Sequence, residues 1–210
     1  MATVIKADGV ISNPKLGKII TLQLLTSESC VRSINTDLTG STTDVYNGGS
    51  AYSWVGSAGQ FALTSLGLTN EVTTATATTY LGMPLTKDVA VSYEAGEQGP
   101  GLIVDVRRLQ TDNYCYRLNM SSTSFRIQRR AASDVVTTLA TFAALSDGDK
   151  VYVYIKDGLI TVVVNGSTVL ELDDSSATDL QRAGTIAISK ASTASGTHTY
   201  IRNLQVFALS

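Results

Sequence analysis

Apolar and polar residues alternate with a period of two along most of this chain, and the pattern is cleanest at 147–172, DGDKVYVYIKDGLITVVVNGSTVLEL. Val151, Val153 and Ile155 take turns with Tyr152, Tyr154 and Lys156. Ile160, Val162 and Val164 line one side of a second strand, and Thr168, Val169, Leu170 and Leu172 give a third. Asp157-Gly158 and Asn165-Gly166 stand between them, and both dipeptides suit two-residue turns because they tolerate positive φ. The stretch predicts a three-stranded antiparallel meander.

The same period marks the rest of the chain. Strands are expected at 18–25, from Tyr52 to Val55, and from Phe61 to Leu66. Others are expected over the Thr-rich 73–81, from Val89 to Tyr93, and from Leu102 to Arg107. Tyr114 to Met120, Phe125 to Gln128, Val135 to Ala144, 183–189 and 200–209 complete the set. Residues 35–50, NTDLTGSTTDVYNGGS, read as loop. About a dozen strands, with turns at roughly 8–12-residue spacing and no helix pattern, fit a sandwich or barrel. Residues 1–17 read as a basic, extended N-terminal arm, and residues 18–210 as one domain. Val4, Ile5, Lys6, Val10, Ile11 and Lys15 are the arm's candidate assembly contacts.

A chain of 210 residues and 22.2 kDa buries enough surface to fold without staples. Its net charge of −2 and pI near 5.3 give no footprint for nucleic acid. No stretch reaches the ~20 apolar residues of a membrane helix, and Thr21 and Gln23 interrupt the run that would otherwise suggest a cleaved signal. The two cysteines, Cys30 and Cys115, permit one disulfide without implying it. Arg107, Arg108, Arg117, Arg126, Arg129 and Arg130 crowd into a short basic stretch, either a solvated sheet face or a site for an acidic glycan or protein neighbour.

From residue 43 onward the order of features resembles a concanavalin A-like, laminin G-like jelly roll. The matching pieces are TDVYNGGSAYSWVGSAGQFAL, GPGLIVDVRRLQTDNYCYRLNM, TTLATFAALSDGDKVYVYIKDGLITVVVNGSTVLELDD, AGTIAIS and the closing YIRNLQVF. The resemblance implies an all-β, antiparallel two-sheet jelly-roll sandwich with a short N-terminal arm. This compact form is similar to domains of tailed-bacteriophage structural proteins. That likeness implies a non-enzymatic virion component, either a capsid decoration on the head surface or a tail-associated protein. It would be made in the host cytoplasm without a signal peptide and anchored by its arm to other virion proteins or to further copies of itself. The alternative is a carbohydrate-binding module or adhesin that takes a surface glycan.

Hydrolytic members of the class resemble one another in a strand of the form Glu-x-Asp-x-x-Glu, whose carboxylates act about 5 Å apart. The nearest match is Glu171-Leu172-Asp173, with Ser176 where the third acid belongs, so no catalytic residue is assigned. The single histidine, His198, lies in a loop, and neither a metal nor another cofactor is expected. Asp37, Asp44, Asp173 and Asp174 are acids that could serve a calcium ion or simply cap turns. For a glycan, the candidates are Asp105, Arg107, Arg117, Arg126, Tyr152 and Tyr154, all opposite the apolar face of their strands. If those strands are neighbours, arginines and tyrosines share one sheet surface. Trp54 is expected in the core.

Overall fold

In the computed structural model the described residues are 4–5, 10–13, 18–34, 36–45, 49–56, 58–70, 77–84, 86–99, 101–109, 111–131, 134–190 and 199–210, with side chains described from Leu22 onward. They form, in chain order, β1 (Val4–Ile5), β2 (Val10–Asn13), β3 (Lys18–Glu28), β4 (Thr36–Asp37), β5 (Trp54–Gly56) and β6 (Phe61–Leu63). Next come β7 (Leu68–Asn70), β8 (Ala77–Leu81), β9 (Val89–Ala95), β10 (Leu102–Arg108), β11 (Cys115–Met120) and β12 (Ser124–Arg130). The last six are β13 (Val136–Ala143), β14 (Lys150–Lys156), β15 (Leu159–Val164), β16 (Ser167–Asp173), β17 (Thr185–Lys190) and β18 (Tyr200–Leu209). A short 3-10 turn lies at Thr178–Leu180.

Two antiparallel sheets face each other. The larger runs β1-β2-β3-β18-β9-β14-β15-β16, with β7, β6 and β4 attached beside β18. The smaller has seven strands in the order β13-β12-β11-β10-β17-β8-β5. The chain crosses between layers repeatedly, so β17 enters the small sheet between β10 and β8, and β18 enters the large one between β3 and β9. This is the expected jelly-roll sandwich. The Asp157-Gly158 turn (φ 47° and 81°) and the Asn165-Gly166 turn (φ 50° and 79°) close the β14–β15 and β15–β16 hairpins. Positive φ at both central positions matches the right-handed twist of the flanking strands.

The core lies between the sheets and follows the alternation. Leu102, Val104 and Val106 of β10, Tyr116, Leu118 and Met120 of β11, and Phe125 and Ile127 of β12 point inward from the small sheet. Val89, Val91 and Tyr93 of β9, Val151, Val153 and Ile155 of β14, and Ile201, Leu204 and Val206 of β18 meet them from the large one. Trp54 is buried in this core as expected. Both cysteines are free and buried.

Candidate functional site

The outward face of the seven-stranded sheet is built in rows that run across the strands. Register places Tyr80 of β8, Ala187 of β17, Asp105 of β10, Arg117 of β11, Gln128 of β12 and Thr138 of β13 side by side. Two residues along, the row reads Thr78, Ser189, Ile103, Asn119, Arg126 and Thr141. On the other side, Arg108 stands beside Thr185, and Cys115 beside Arg130 and Val136. An outward sheet face normally meets water. Here Asp105 and Cys115 are fully buried, and Ser189 and Arg108 nearly so.

Polar groups held this far from water need partners, and they have them. Asp105 Oδ2 accepts from Arg108 Nη1 at 2.7 Å and from Ser189 Oγ, and Oδ1 accepts from Arg117 Nε at 3.0 Å. Arg108 Nη2 donates to Asn113 Oδ1 at 2.7 Å, and its guanidinium lies 5.8 Å from the centre of the Tyr80 ring. Asn113 and Arg130 both donate to Asp134. Asn119 Nδ2 donates to Gln128 Oε1, and Gln128 Nε2 donates to Thr138 Oγ1, each at 3.2 Å. Arg126 is exposed and makes no ion pair or hydrogen bond among the described residues. Burial pulls the Arg108 pKa down, but the Asp105 carboxylate, with smaller contributions from Cys115 and Tyr80, outweighs this, so the guanidinium stays charged above its usual range. Burial, reinforced by Asp105, pushes the Cys115 thiol far up, so it stays protonated and is no nucleophile.

The six glycan candidates do not share this surface. Asp105, Arg117 and Arg126 lie on it. Arg107 does not: β10 bulges between Val106 and Arg108, and Arg107 takes φ 60°. The extra residue turns its side chain inward. It donates to Leu180 O at 3.0 Å and to Ile155 O at 3.2 Å, with Asp88 Oδ1 3.5 Å away. Burial lowers its pKa, and nearby anions including Asp88 act against that. Tyr152 and Tyr154 are on β14, in the opposite sheet, so a common arginine–tyrosine surface does not form. Their rings stack 6.5 Å apart at 6° on that sheet's outward face.

The residues that sequence reasoning missed are Tyr80, Asn119, Gln128 and Ser189, while Arg108 was singled out only as part of the basic stretch. Alternation marks Asn119 and Gln128 as outward. Nothing local tells that β17 and β8 bring Ser189 and Tyr80 beside β10.

The other acids are engaged elsewhere. Asp37 accepts from the Thr39 and Gly59 amides, and Asp44 from Ser29 and Arg32. Asp173 caps Ser175, and Asp174 accepts from Tyr116 Oη and Arg129. Glu171 and Asp173 sit on β16, the edge of the large sheet. No cluster of three or more metal-ligating side chains occurs among the described residues. Val4 and Ile5 lie in β1, and Val10 and Ile11 in β2, which pairs with the first four residues of β3. Lys6, Lys15 and His198 lie outside the described residues.

No family model matches the chain, and no curated protein matches its sequence. Solved structures do resemble it. β-Agarase A from Zobellia galactanivorans superposes with a TM-score of 0.64 over 95% of this chain and 96% of its own, at 11% identity. The carbohydrate-binding module CBM66 from Bacillus subtilis gives 0.51 over 83% and 95%, at 9% identity. The lumenal domain of VIP36, bound to Ca2+ and Man3GlcNAc, gives 0.51 over 76% and 84%, at 12% identity. The expectation of a non-enzymatic protein is corrected by this set, because β-agarase A is an enzyme. That expectation rested on the likeness to phage structural proteins, on a missing carboxylate motif and on a lone histidine, and none of these tests the architecture. Glycan-processing enzymes and glycan-binding modules share this sandwich. At these identities the likeness shows the fold alone, a two-sheet jelly roll of the concanavalin A-like kind.

Proposed function

We propose that the chain recognises carbohydrate on the outward face of its seven-stranded sheet. The observation that carries this reading is the sheltered, prearranged polar surface from Tyr80 to Gln128. Asp105 holds Arg108, Arg117 and Ser189, and the Asn119 and Gln128 amides hold each other, before any ligand arrives, so little side-chain freedom is lost on binding. A sugar offers many hydroxyls and a weakly apolar ring face. Amides, guanidinium groups and the Tyr80 ring answer both needs. The resemblance to an agarase seen with oligoagarose and to a carbohydrate-binding module supports the same reading. The expectation of a tailed-phage virion component draws no support from these structures.

Because Arg117 and Tyr152 stand on opposite sheets, one pair of variants tests the assignment. In a glycan array followed by calorimetry on the best ligand, Arg117→Ala should weaken binding at least tenfold, and Tyr152→Ala should leave it unchanged. Asn119→Ala serves as a second probe that does not touch the Asp105 ion pairs. Loss of binding in Tyr152→Ala alone would move the site to the large sheet, and a wild type that binds no glycan would end the proposal.

A further inference from the structure

Charge on the small sheet is lopsided. Its seven strands contain one carboxylate, Asp105, against six arginines and Lys190. Four of the arginines, Arg108, Arg117, Arg126 and Arg130, point outward. Asp105 binds Arg108 and Arg117 together, and Asp134 binds Arg130. Four arginines against two carboxylates leave this face two positive charges in excess among the described residues.

Their location is definite. Arg126 has no partner among the described residues, and Arg117 uses only Nε, leaving both Nη groups without a protein acceptor there. Asn119 stands opposite Arg126 and Gln128 opposite Arg117, so the two arginines are diagonal neighbours, about 7–8 Å apart at the backbone. The Asn119–Gln128 amide bridge lies between them and brings no negative charge. The nearest strand carboxylate, Asp105, already accepts three hydrogen bonds. Like charges on neighbouring positions of one sheet face repel each other. An oxyanion between them removes the repulsion and accepts charge-assisted hydrogen bonds from both.

Resting on the sheet-face reading above, we infer that the glycan taken here is acidic, with a uronate carboxylate or a sulfate ester seated between Arg126 and Arg117. The remaining sugar rings would run along the row toward Tyr80. Neutral hydroxyls would still find partners in Asn119 and Gln128 but would leave the two charges uncompensated. The face would then favour acidic over neutral chains of equal length.

The test is calorimetric titration of the wild-type protein, Arg126→Gln and Asn119→Ala with three probes. These are an alginate oligosaccharide (uronate), a κ-carrageenan oligosaccharide (sulfate) and laminarin (neutral). Titrations at about 50 and about 500 mM NaCl add the ionic contribution, since screening over a Debye length of a few ångströms at the higher salt weakens an exposed charge contact. The wild type should bind one of the acidic probes at least tenfold tighter than laminarin. Arg126→Gln should erase that preference and its salt dependence, and Asn119→Ala should weaken binding without removing the preference. Arg126 is exposed, so its replacement leaves the fold intact. Binding of laminarin at least as tight as of both acidic probes, or an Arg126→Gln variant that keeps the acidic preference, overturns the inference while the sheet-face reading stands. Binding of none of the three overturns the inference at once. Acidic binding that survives Arg117→Ala and Asn119→Ala overturns the sheet-face reading with it.

Discussion

On the seven-stranded sheet the outward side chains buried deepest include Asp105, Ser189 and Arg108; on the larger sheet they include Val163, Ala90 and Tyr154, with the small hydroxyls of Ser27 and Ser92 but no charged group. Both faces obey the same alternation, and both shelter their central residues from water. The larger sheet does so with an apolar patch, in which Leu22, Tyr152 and Phe207 pack against the buried Ala90, Tyr154, Val163 and Leu209. Burying apolar surface is favourable in itself, at roughly 25 cal/mol per Å², so that patch needs no further explanation than stability. The smaller sheet buries a carboxylate and a guanidinium where hydrophobic residues would have served the fold as well. Buried ion pairs often add little stability relative to apolar residues of similar volume. A surface that retains one therefore points to a use for the arrangement, which is why the candidate site belongs on that face.

Removing Asp105 should break this contrast most. Asp105→Ala strands Arg108 beneath the surface and frees Arg117, and it should cost about 3–5 kcal/mol in urea unfolding, the range for breaking one partner out of a buried pair. A loss under about 1 kcal/mol would mean the face is wetter than its burial indicates.

Gly184→Ala comes next. A Cβ there would sit 2.3 Å from the Arg107 carbonyl carbon, against the bulge that sends Arg107 inward and Arg108 outward. The expected loss is about 2–3 kcal/mol. Glycan affinity should fall with it if the bulge shapes the site.

The smallest effect concerns the apolar face and has the opposite sign. Tyr154 Oη is buried without a hydrogen-bond partner among the described residues, so Tyr154→Phe should be neutral or stabilising by up to about 1 kcal/mol. The same burial, with Tyr152 adding to it, raises the Tyr154 phenol pKa. Burial also raises Tyr93, and burial with Asp174 raises Tyr116. A phenol whose folded pKa exceeds its unfolded value of about 10 contributes its full stability below that pH and loses it as pH rises further. Urea midpoints measured from pH 9 upward should therefore fall beyond about pH 10, and less steeply in Tyr154→Phe.

Much of this could be read in the residues. The turns at Asp157-Gly158 and Asn165-Gly166, the inward positions of β10, β11 and β14, and the outward direction of Asp105, Arg117 and Arg126 all follow from period two and turn chemistry. What could not be read is which meander joins which layer. The runs β10–β13 and β14–β16 have the same local pattern yet fall in opposite sheets, so Tyr152 and Tyr154 part from the arginines. The order of strands across a sheet is a long-range fact: β17 reaches β10 after both meanders are complete, and only then does Ser189 meet Asp105. Arg107 was misplaced for a different reason. A bulge depends on what packs against it, here Gly184, about 80 residues downstream in sequence.

That bulge gives β10 two reading frames. Up to Val106 the strand is spelled with one parity, and after Arg107 with the other, so two adjacent arginines of identical chemistry carry opposite duties. Arg107 rivets the small sheet to the carbonyl of Ile155 in the large one, and Arg108 holds the carboxylate that organises the outward face. The spacing of the two layers and the pose of the surface are thereby set by consecutive residues. A deformation at this corner of the sandwich would be felt on the outward face without crossing the core.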